Sequence, residues 1–499
     1  MQNGTLLAAV DLGSNSFRLE IGRYTHGQIN RTEYLKETVR QGNGLDSDGN
    51  LTLEAMQRGW DCLARFGERL SDFKKNQVRA VATQTLREAR NRDEFLSRAH
   101  KILGFAVDVI PGREEARLIY QGVAHMLPQS NERRLVVDIG GRSTEMILGQ
   151  GLQAISVESY RVGSVAWSMK YFPDGQFTER AFDMAEIAAR AVLDEACNTY
   201  RAGAWDVAYG SSGTIGAISD VLTATGRPAG LVTREGLNWL LDRLLKTQSA
   251  DRLKIEGMKE DRRAVIGGGV SALRAVFDLL GIEQMQAAQG ALRHGVLYDL
   301  LDREQDLTDS RTASVKHLLI KFDVDALQSQ RVGKVARHLF MMTCAGLAAV
   351  DSNRLQRKLE WAAQLHEIGS QISHSNYHKH GAYILDNADA PGFAFAELHR
   401  LSQLVLGHRG KLRKLEVNFD DRQFVLQLLC LRLAVILCHA RRDPDLKGLQ
   451  LEAANEPERL FVLNCRSGWA QAFPQSAYLL QEEVLAWQKT PWSLMLSGL

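Results

Sequence analysis

Two six-residue stretches, DLGSNS at 11–16 and DIGGRS at 138–143, superpose without gaps, with Asp11 on Asp138, Gly13 on Gly140 and Ser16 on Ser143. Each closes an apolar run, LLAAV in the first case and LVV in the second, and each leads into another strand-like stretch. A buried strand ending in Asp-x-Gly-x-x-Ser must turn tightly, and glycine permits the turn. Duplicated units of this kind imply duplicated domains that face each other across a cleft.

The elements around the two stretches repeat as well. After FRLEIGRY, where Phe17, Leu19 and Ile21 alternate with the polar Arg18 and Glu20, INRTEYLKETVR reads as a third strand. A helical pattern over about 52–72, a strand at 78–82, a helix over 83–103, a strand at 105–110 and a helix over 113–126 follow, in the order β-β-β-α-β-α-β-α. The second segment runs through strands RLVVDIGG, STEMILG and LQAISVESYRVG, a helix over about 179–201, and DVAYGSSGT leading into a helix. A glycine-rich helix (IGGGVSALRAVFDLLG), strand-like EQMQAA and a last helix complete it. Beyond about 303 helical patterns dominate until LQLEAA and RLFVLNC near the end.

A chain of 499 residues is too long for one core. The divisions expected are 1–126 and 127–302 for the duplicated α/β domains, 303–440 for a helical domain and 441–499 for a small α+β domain. An apolar fraction of 45% and a charged fraction of 24% are those of a soluble globular protein. A net charge of +2 excludes strong global attraction to nucleic acid. No apolar run is long enough for a bilayer, and the first ten residues lack a signal peptide's basic and apolar segments. Six scattered cysteines without a C-x-x-C pair read as reduced core thiols, so a cytoplasmic protein is expected, with peripheral attachment at the inner membrane as the alternative.

The two turns present a phosphate chemistry. Their N–H groups, with Gly13, Ser14, Asn15 and Ser16 in one and Gly140, Gly141, Ser143 and Thr144 in the other, can donate to phosphate oxygens. Asp11 and Asp138 cannot bind phosphate directly but can hold Mg²⁺, usually through waters, and Glu145 could reach the same ion. Arg142 either adds a guanidinium to the phosphate path or points outward from a hairpin tip. A plain hairpin would explain one such turn; two matched turns at the start of the same topology point to a clamp.

In REEARLIYQG the apolar stripe is Ala116, Ile119, Tyr120 and Val123, and Glu115 lies on it beside Ile119, whereas Glu114 sits about 100° round. Glu115 is therefore the better placed to face inward. Arg87 follows the strand at 78–82 by one helical turn, with Thr83 and Asn91 four residues to either side on one face. The run Ser211, Ser212, Gly213 and Thr214 is another hydroxyl-rich turn at a helix start, suited to an anion.

Together with ATQTLREARN, PGREEARLIYQG, YGSSGTIGA and GALRHGVLYDLL, these turns resemble the exopolyphosphatase / guanosine pentaphosphate phosphohydrolase family, of the actin, heat-shock chaperone and sugar-kinase superfamily. The resemblance covers residues 6–302 and implies two ribonuclease H-like, actin-type α/β domains flanking the cleft. It places the catalytic glutamate on Glu115 and a phosphate-contacting arginine on Arg87, and implies Mg²⁺ as cofactor with K⁺ as a stimulating ion. It also implies a homodimer. Two residues depart from the family's pattern: Arg142 where a small residue is usual, and His294 where glutamate is usual.

Seven of the 13 histidines fall between His366 and His439, and WAAQLHEIG, HSNYHKHGAYIL, LGHRGKLRK and LRLAVILCH resemble a His-Asp phosphohydrolase domain. The pair here is His366-Glu367, and the last ligand position is apolar near Val435, so a degenerate His-Asp-like fold is expected, followed by the small terminal β-containing segment. The basic run from His408 to Lys414 reads either as a solvated face or as a track for an extended polyanion. The function expected first is Mg²⁺-dependent exopolyphosphatase acting on inorganic polyphosphate, with Glu115 handling water. Guanosine pentaphosphate phosphohydrolase is the alternative, and a non-catalytic sensor of polyphosphate or guanosine penta- or tetraphosphate is the rival of another class.

Overall fold

A computed structural model describes residues 2–304, 308–343, 349–454 and 458–498. They form two compact units, Met1–Asp309 and Ser310–Leu499.

The first unit contains the duplicated motif as two sheets. In one lobe β1 (Leu6–Leu12), β2 (Phe17–Thr25) and β3 (Gln28–Glu37) form an antiparallel meander, and β4 (Val78–Ala82) and β5 (Val107–Val109) add in parallel, giving the order β3-β2-β1-β4-β5. In the other, β6 (Arg133–Ile139), β7 (Thr144–Gln150), β8 (Gln153–Tyr160), β9 (Val207–Ser211), β10 (Leu231–Thr233) and β11 (Gln284–Ala287) give β8-β7-β6-β9-β11-β10. The shared portion has the same order. β10, an edge strand of three residues, is too short to show a period-2 pattern and is absent from the sequence-based expectation. Each lobe has its own apolar core, one around Phe17, Trp60 and Phe66, the other around Phe172, Phe182 and Phe277.

The single helix expected over 83–103 is two helices, Gln84–Glu88 and Arg92–Leu103. The chain leaves helical geometry at Ala89 (φ −63°, ψ 121°). The Asn91 side chain there accepts from the Leu51 N–H and donates to the Leu51 carbonyl, at 2.8 and 3.0 Å. This two-point tether supplies the backbone with a competing partner, as asparagine side chains do. Asn91 therefore does not share a face with Arg87.

Helix Gly112–Met126 is gripped by helix Leu292–Asp302, which packs along it and against β1. Glycine makes the approach possible: a Cβ at Gly295 would lie 1.8 Å from the Leu118 carbonyl oxygen, and one at Gly122 2.3 Å from that of Ala291. Charges reinforce the contact. Arg117 donates to Glu114 at 2.7 Å and to Asp299 at 2.5 Å, and Arg79 from β4 pairs with Asp299. Although burial opposes it, these guanidiniums together with Arg303 hold the Asp299 carboxyl well below the usual range.

The second unit packs helices Ser310–Lys321, Ala326–Thr343, Tyr377–Asn387, Phe395–Gly407 and Arg422–Leu437 over one core. That core continues into a three-stranded sheet, β12 (Leu449–Ala453), β13 (Leu460–Cys465) and β14 (Ser493–Ser497), through Leu451, Phe461, Leu463 and Leu494. β14 pairs in parallel with β13 after helix Pro474–Trp487, a crossover that sequence patterning did not anticipate. No described helix is long and apolar enough to cross a membrane. The described cysteines are free thiols; Cys344 lies outside the described residues.

Candidate active site

Between the lobes of the first unit lies a cleft of about 450 Å³. Both glycine turns line it, and they sit at equivalent places. The β1–β2 hairpin sets Asp11 opposite Arg18, and the β6–β7 hairpin sets Asp138 opposite Glu145. The turns abut: a Cβ on Gly141 would sit 3.0 Å from the Ser14 Cβ. The repeat thus brings two strand ends to one point but places a cation opposite the first aspartate and a carboxylate opposite the second.

Of the residues expected from sequence, Asp11, Gly13, Ser14, Asn15, Ser16, Glu115, Asp138, Gly140, Gly141, Ser143, Ser212, Gly213 and Thr214 line this cleft. Thr85 donates to the Ser14 hydroxyl at 2.8 Å. Two buried donors, Asn15 Nδ2 and Ser16 Oγ, have no partner among the described residues. Buried polar groups are nearly always paired, so these two atoms mark where a ligand oxygen fits. At the far turn Ser212 takes φ 102° and its hydroxyl accepts from the Thr214 and Ile215 N–H groups, capping helix Gly213–Ala224. A residue other than glycine in that region is strained, and such strain gathers at functional sites.

Glu115 occupies the first turn of its helix, 7% exposed, with Oε2 accepting from Arg87 Nη1 at 2.6 Å. Burial pushes its carboxyl up, Arg87 opposes this, and the charge of Asp11 adds to it. Burial also pushes Asp138 up to about 7, opposed by the neighbouring Ser211 hydroxyl and with further help from the Glu115 charge. Glu145 is raised well above the ordinary range by burial and then by Glu115 and Asp138. Asp11 is balanced directly by Arg18 at 3.0 Å. Carboxyl groups thus outnumber guanidiniums where the turns meet, and burial and their mutual repulsion disfavour their charged forms.

Five expected residues stand behind the cleft wall rather than on it. Arg87 contacts Glu115, the Gln84 side chain and the Ile110 carbonyl, and so supports the carboxylate instead of lining the phosphate path. Thr144 is fully buried and donates to the Val162 carbonyl at 2.6 Å. Ser211 donates to the Gly290 carbonyl at 2.9 Å. Glu145, 1% exposed, accepts from Ser159 at 2.7 Å. Arg142 neither lines the cleft nor points freely into solvent: it pairs with Glu88 and the Gly42 carbonyl at 2.8 and 3.0 Å. Each of the five has a partner far away in sequence, on a helix or loop of its own lobe, on or just past a neighbouring strand of its sheet, or in the opposite lobe, which sequence spacing cannot reveal. His294 accepts from the Ala291 N–H at Nδ1, so Nε2 carries the proton toward Glu20, 3.1 Å away.

Sequence reasoning missed the five cations that line the cleft, Arg18, Lys36, Lys259, Arg262 and Arg293. One signal was present. Arg18 and Glu20 form the polar face of β2, which lies between β1 and β3; a central strand with charges of both signs on one face is facing a site rather than bulk water. Arg262 packs against Gly213, where a Cβ would meet its guanidinium at 2.3 Å, a relation of residues distant in sequence.

The carboxylates suit a hard cation. Asp11 and Asp138 face the cleft, and Glu145 Oε2 is buried without a partner among the described residues. Among those residues no three carboxylate, histidine or cysteine side chains group closely enough to cage a metal. Such a donor set fits an ion like Mg²⁺, which keeps several waters and takes further oxygens from substrate phosphates.

Duplicated ribonuclease H-like lobes around a carboxylate-lined, hydroxyl-rich cleft define an actin-type phosphohydrolase. The chain belongs to the Ppx/GppA phosphatase family: the family's sequence model matches residues 21–304, and that of its domain III matches 310–484. It is 38% identical to the guanosine-5'-triphosphate,3'-diphosphate pyrophosphatase of Vibrio cholerae over 92% of each chain. It is likewise 38% identical to the protein of that name from Aeromonas hydrophila over 99% of each. Among solved structures it resembles an exopolyphosphatase from Cytophaga hutchinsonii (26% identity, TM-score 0.53), covering 60% of this chain and 98% of that one. An Aquifex aeolicus family member aligns similarly (25%, TM-score 0.52, 60% and 99%). The chain is a hydrolase of phosphoric anhydrides.

Proposed function

We propose that this chain removes the terminal 5′-phosphate of guanosine-5'-triphosphate,3'-diphosphate. Relatives carrying the corresponding name align over nearly the full chain, which favours this substrate over inorganic polyphosphate, the one that residue motifs put first. The observation that carries the hydrolytic step is the buried Glu115 carboxylate, fixed by Arg87 at the wall of the cleft where both turns converge.

In this mechanism the turn N–H groups, Asn15 and Ser16 hold the terminal phosphate, and Glu115 accepts the proton of the attacking water. A carboxyl raised by burial suits that task, because a base works best near the operating pH. Mg²⁺, held by Asp11 and Asp138 largely through water, would neutralise phosphate charge and stabilise the leaving oxygen. Arg18, Lys36 and Arg262 add positive charge along the cleft for the rest of a polyanionic nucleotide. Inorganic polyphosphate is the second substrate, favoured by the exposed Arg409, Lys411, Arg413 and Lys414. The cytoplasmic setting and the homodimer belong to the same proposal; sedimentation of the purified chain tests the latter.

The deciding assay supplies Mg²⁺, with and without K⁺, and measures phosphate release from guanosine pentaphosphate and from long-chain polyphosphate. Release from the nucleotide with the greater kcat/KM is expected. Greater kcat/KM on polyphosphate would reverse the order of substrates, and no release from either would end the proposal.

A further inference from the structure

Arg142 sits on the β6–β7 turn, yet its partners lie in the other lobe. Nε and Nη2 both reach Glu88 Oε2 at 2.8 Å, and Nη1 donates to the Gly42 carbonyl at 3.0 Å. Glu88 closes the short helix Gln84–Glu88, and its second oxygen accepts from Gln84 Nε2 at 2.7 Å. The Gln84 oxygen accepts twice from Arg87, at 2.9 and 2.6 Å. Arg87 spends its remaining nitrogen on Glu115, at 2.6 Å, and on the Ile110 carbonyl. An unbroken series of contacts therefore runs from the turn of one lobe to the carboxylate in the other.

Polarity is consistent along the whole series. Gln84 can satisfy both neighbours in one orientation only, nitrogen to the Glu88 carboxylate and oxygen to the Arg87 guanidinium. Arg142 and Glu88 are both mostly buried, with side chains 19% and 23% exposed, so the attraction is only partly screened by water. Without Arg142, Glu88 would keep its charge while losing its cation. The guanidinium nearest through the series is that of Arg87, and any movement of Arg87 toward Glu88 takes it from Glu115.

We propose that Arg142 is a positioning residue for the hydrolytic step: by pairing with Glu88 across the cleft it keeps Arg87 on Glu115. The effect depends on both lobes being in contact at the turns, so it ties the geometry of Glu115 to closure of the cleft. It rests on Glu115 being the base, and the controls separate the two claims.

The test measures kcat and KM with guanosine pentaphosphate and Mg²⁺, alongside thermal unfolding of each variant. Arg142→Ala should lower kcat about tenfold with KM changed less than about threefold, since misplacement by around an ångström can cost up to about a hundredfold. Adding Glu88→Gln to that variant removes the stranded charge and should recover most of kcat; Arg142→Lys, which keeps the charge but not the planar fork, should fall between the alanine variant and wild type. Should Arg142→Ala fail to fold, Arg142→Gln, which keeps most of the bulk, takes its place and is judged the same way. Unchanged kcat in the alanine variant, or a double variant no faster than the single one, overturns the proposal. Glu115→Gln distinguishes the underlying premise: wild-type kcat in that variant removes Glu115 from its role whatever Arg142 does.

Discussion

The cleft of the first unit and the His366–His408 pair of the second both bury titratable side chains, and they treat them in opposite ways. In the cleft, Asp138, Glu145 and Glu115 are buried beside one another, with Arg18 and Arg87 as counter-charges and with polar atoms of Asn15, Ser16 and Glu145 left without partners among the described residues. In the second unit the rings of His366 and His408 meet edge to face at 5.3 Å, and each satisfies Nδ1 on a carbonyl of its own helix region, Ala363 at 2.7 Å and Val405 at 2.6 Å. Burial holds both imidazoles below their ordinary range, so they are kept neutral. Glu367, which stands where a His-Asp pair would have its aspartate, is 2.7 Å from Arg441 and 4.0 Å from the imidazole, in keeping with the degenerate site expected from sequence. A site awaiting ligand keeps charge and spare bonding capacity; a core position uses its polar atoms on its own backbone.

The largest expected break between the regions is catalytic. Glu115→Gln should reduce phosphate release by about 10²–10⁴, the range for loss of a general base. His366→Ala should instead cost stability, about 2 kcal/mol from the cavity and the orphaned carbonyl, with kcat per folded molecule unchanged. Denaturant unfolding and turnover measured on both variants check the contrast, and a rate loss in the histidine variant comparable to that of Glu115→Gln would erase it.

A third prediction separates substrates. Replacing Lys411, Arg413 and Lys414 together with alanine should weaken long-chain polyphosphate about tenfold at low salt, leave the nucleotide unaffected, and flatten the salt dependence of polyphosphate binding. Equal effects on both substrates would show that the basic run does not select for chain length.

The smallest effect is the response to pH in metal-free protein. With Asp138 at about 7 when folded, above its ordinary 3.8, the folded cleft binds that proton more tightly than the unfolded chain. Its charge therefore costs stability above pH 7, and the cost fades as pH falls toward 4. For His366 and His408 the sign is reversed: the folded unit disfavours the imidazolium, so stability is lost as pH drops below about 6.5. Hydrogen exchange should show helix Gly112–Met126 better protected at pH 6 than at pH 8, and helix Phe395–Gly407 less protected at pH 5 than at pH 7. Mg²⁺ should protect the first more at pH 8 than at pH 6. Parallel movement of the two helices with pH would contradict the opposed burial described above.

Residues close in sequence carried most of what could be read without coordinates. The order of strands in both lobes, the position of both turns and the inward face of Glu115 follow from periodicity and from the Asp-x-Gly-x-x-Ser repeat, because side-chain direction along a strand or helix is a local property. β10 and β14 escaped because three residues, or five after a long crossover, carry too little pattern. The break at Ala89 escaped because its cause, the Asn91 tether to Leu51, spans forty residues.

By itself, then, the sequence determined that two similar lobes present carboxylates and glycine turns to a shared cleft, since those depend on local geometry repeated twice. Only the tertiary structure decided which polar groups remain free there. Thr144, Ser211, Arg142 and one oxygen of Glu145 find partners on other strands, in loops or across the cleft, whereas Asn15 Nδ2 and Ser16 Oγ have none among the described residues. Pairing is settled by distances between residues far apart in the chain, and a side chain's chemistry does not specify the neighbour it will meet.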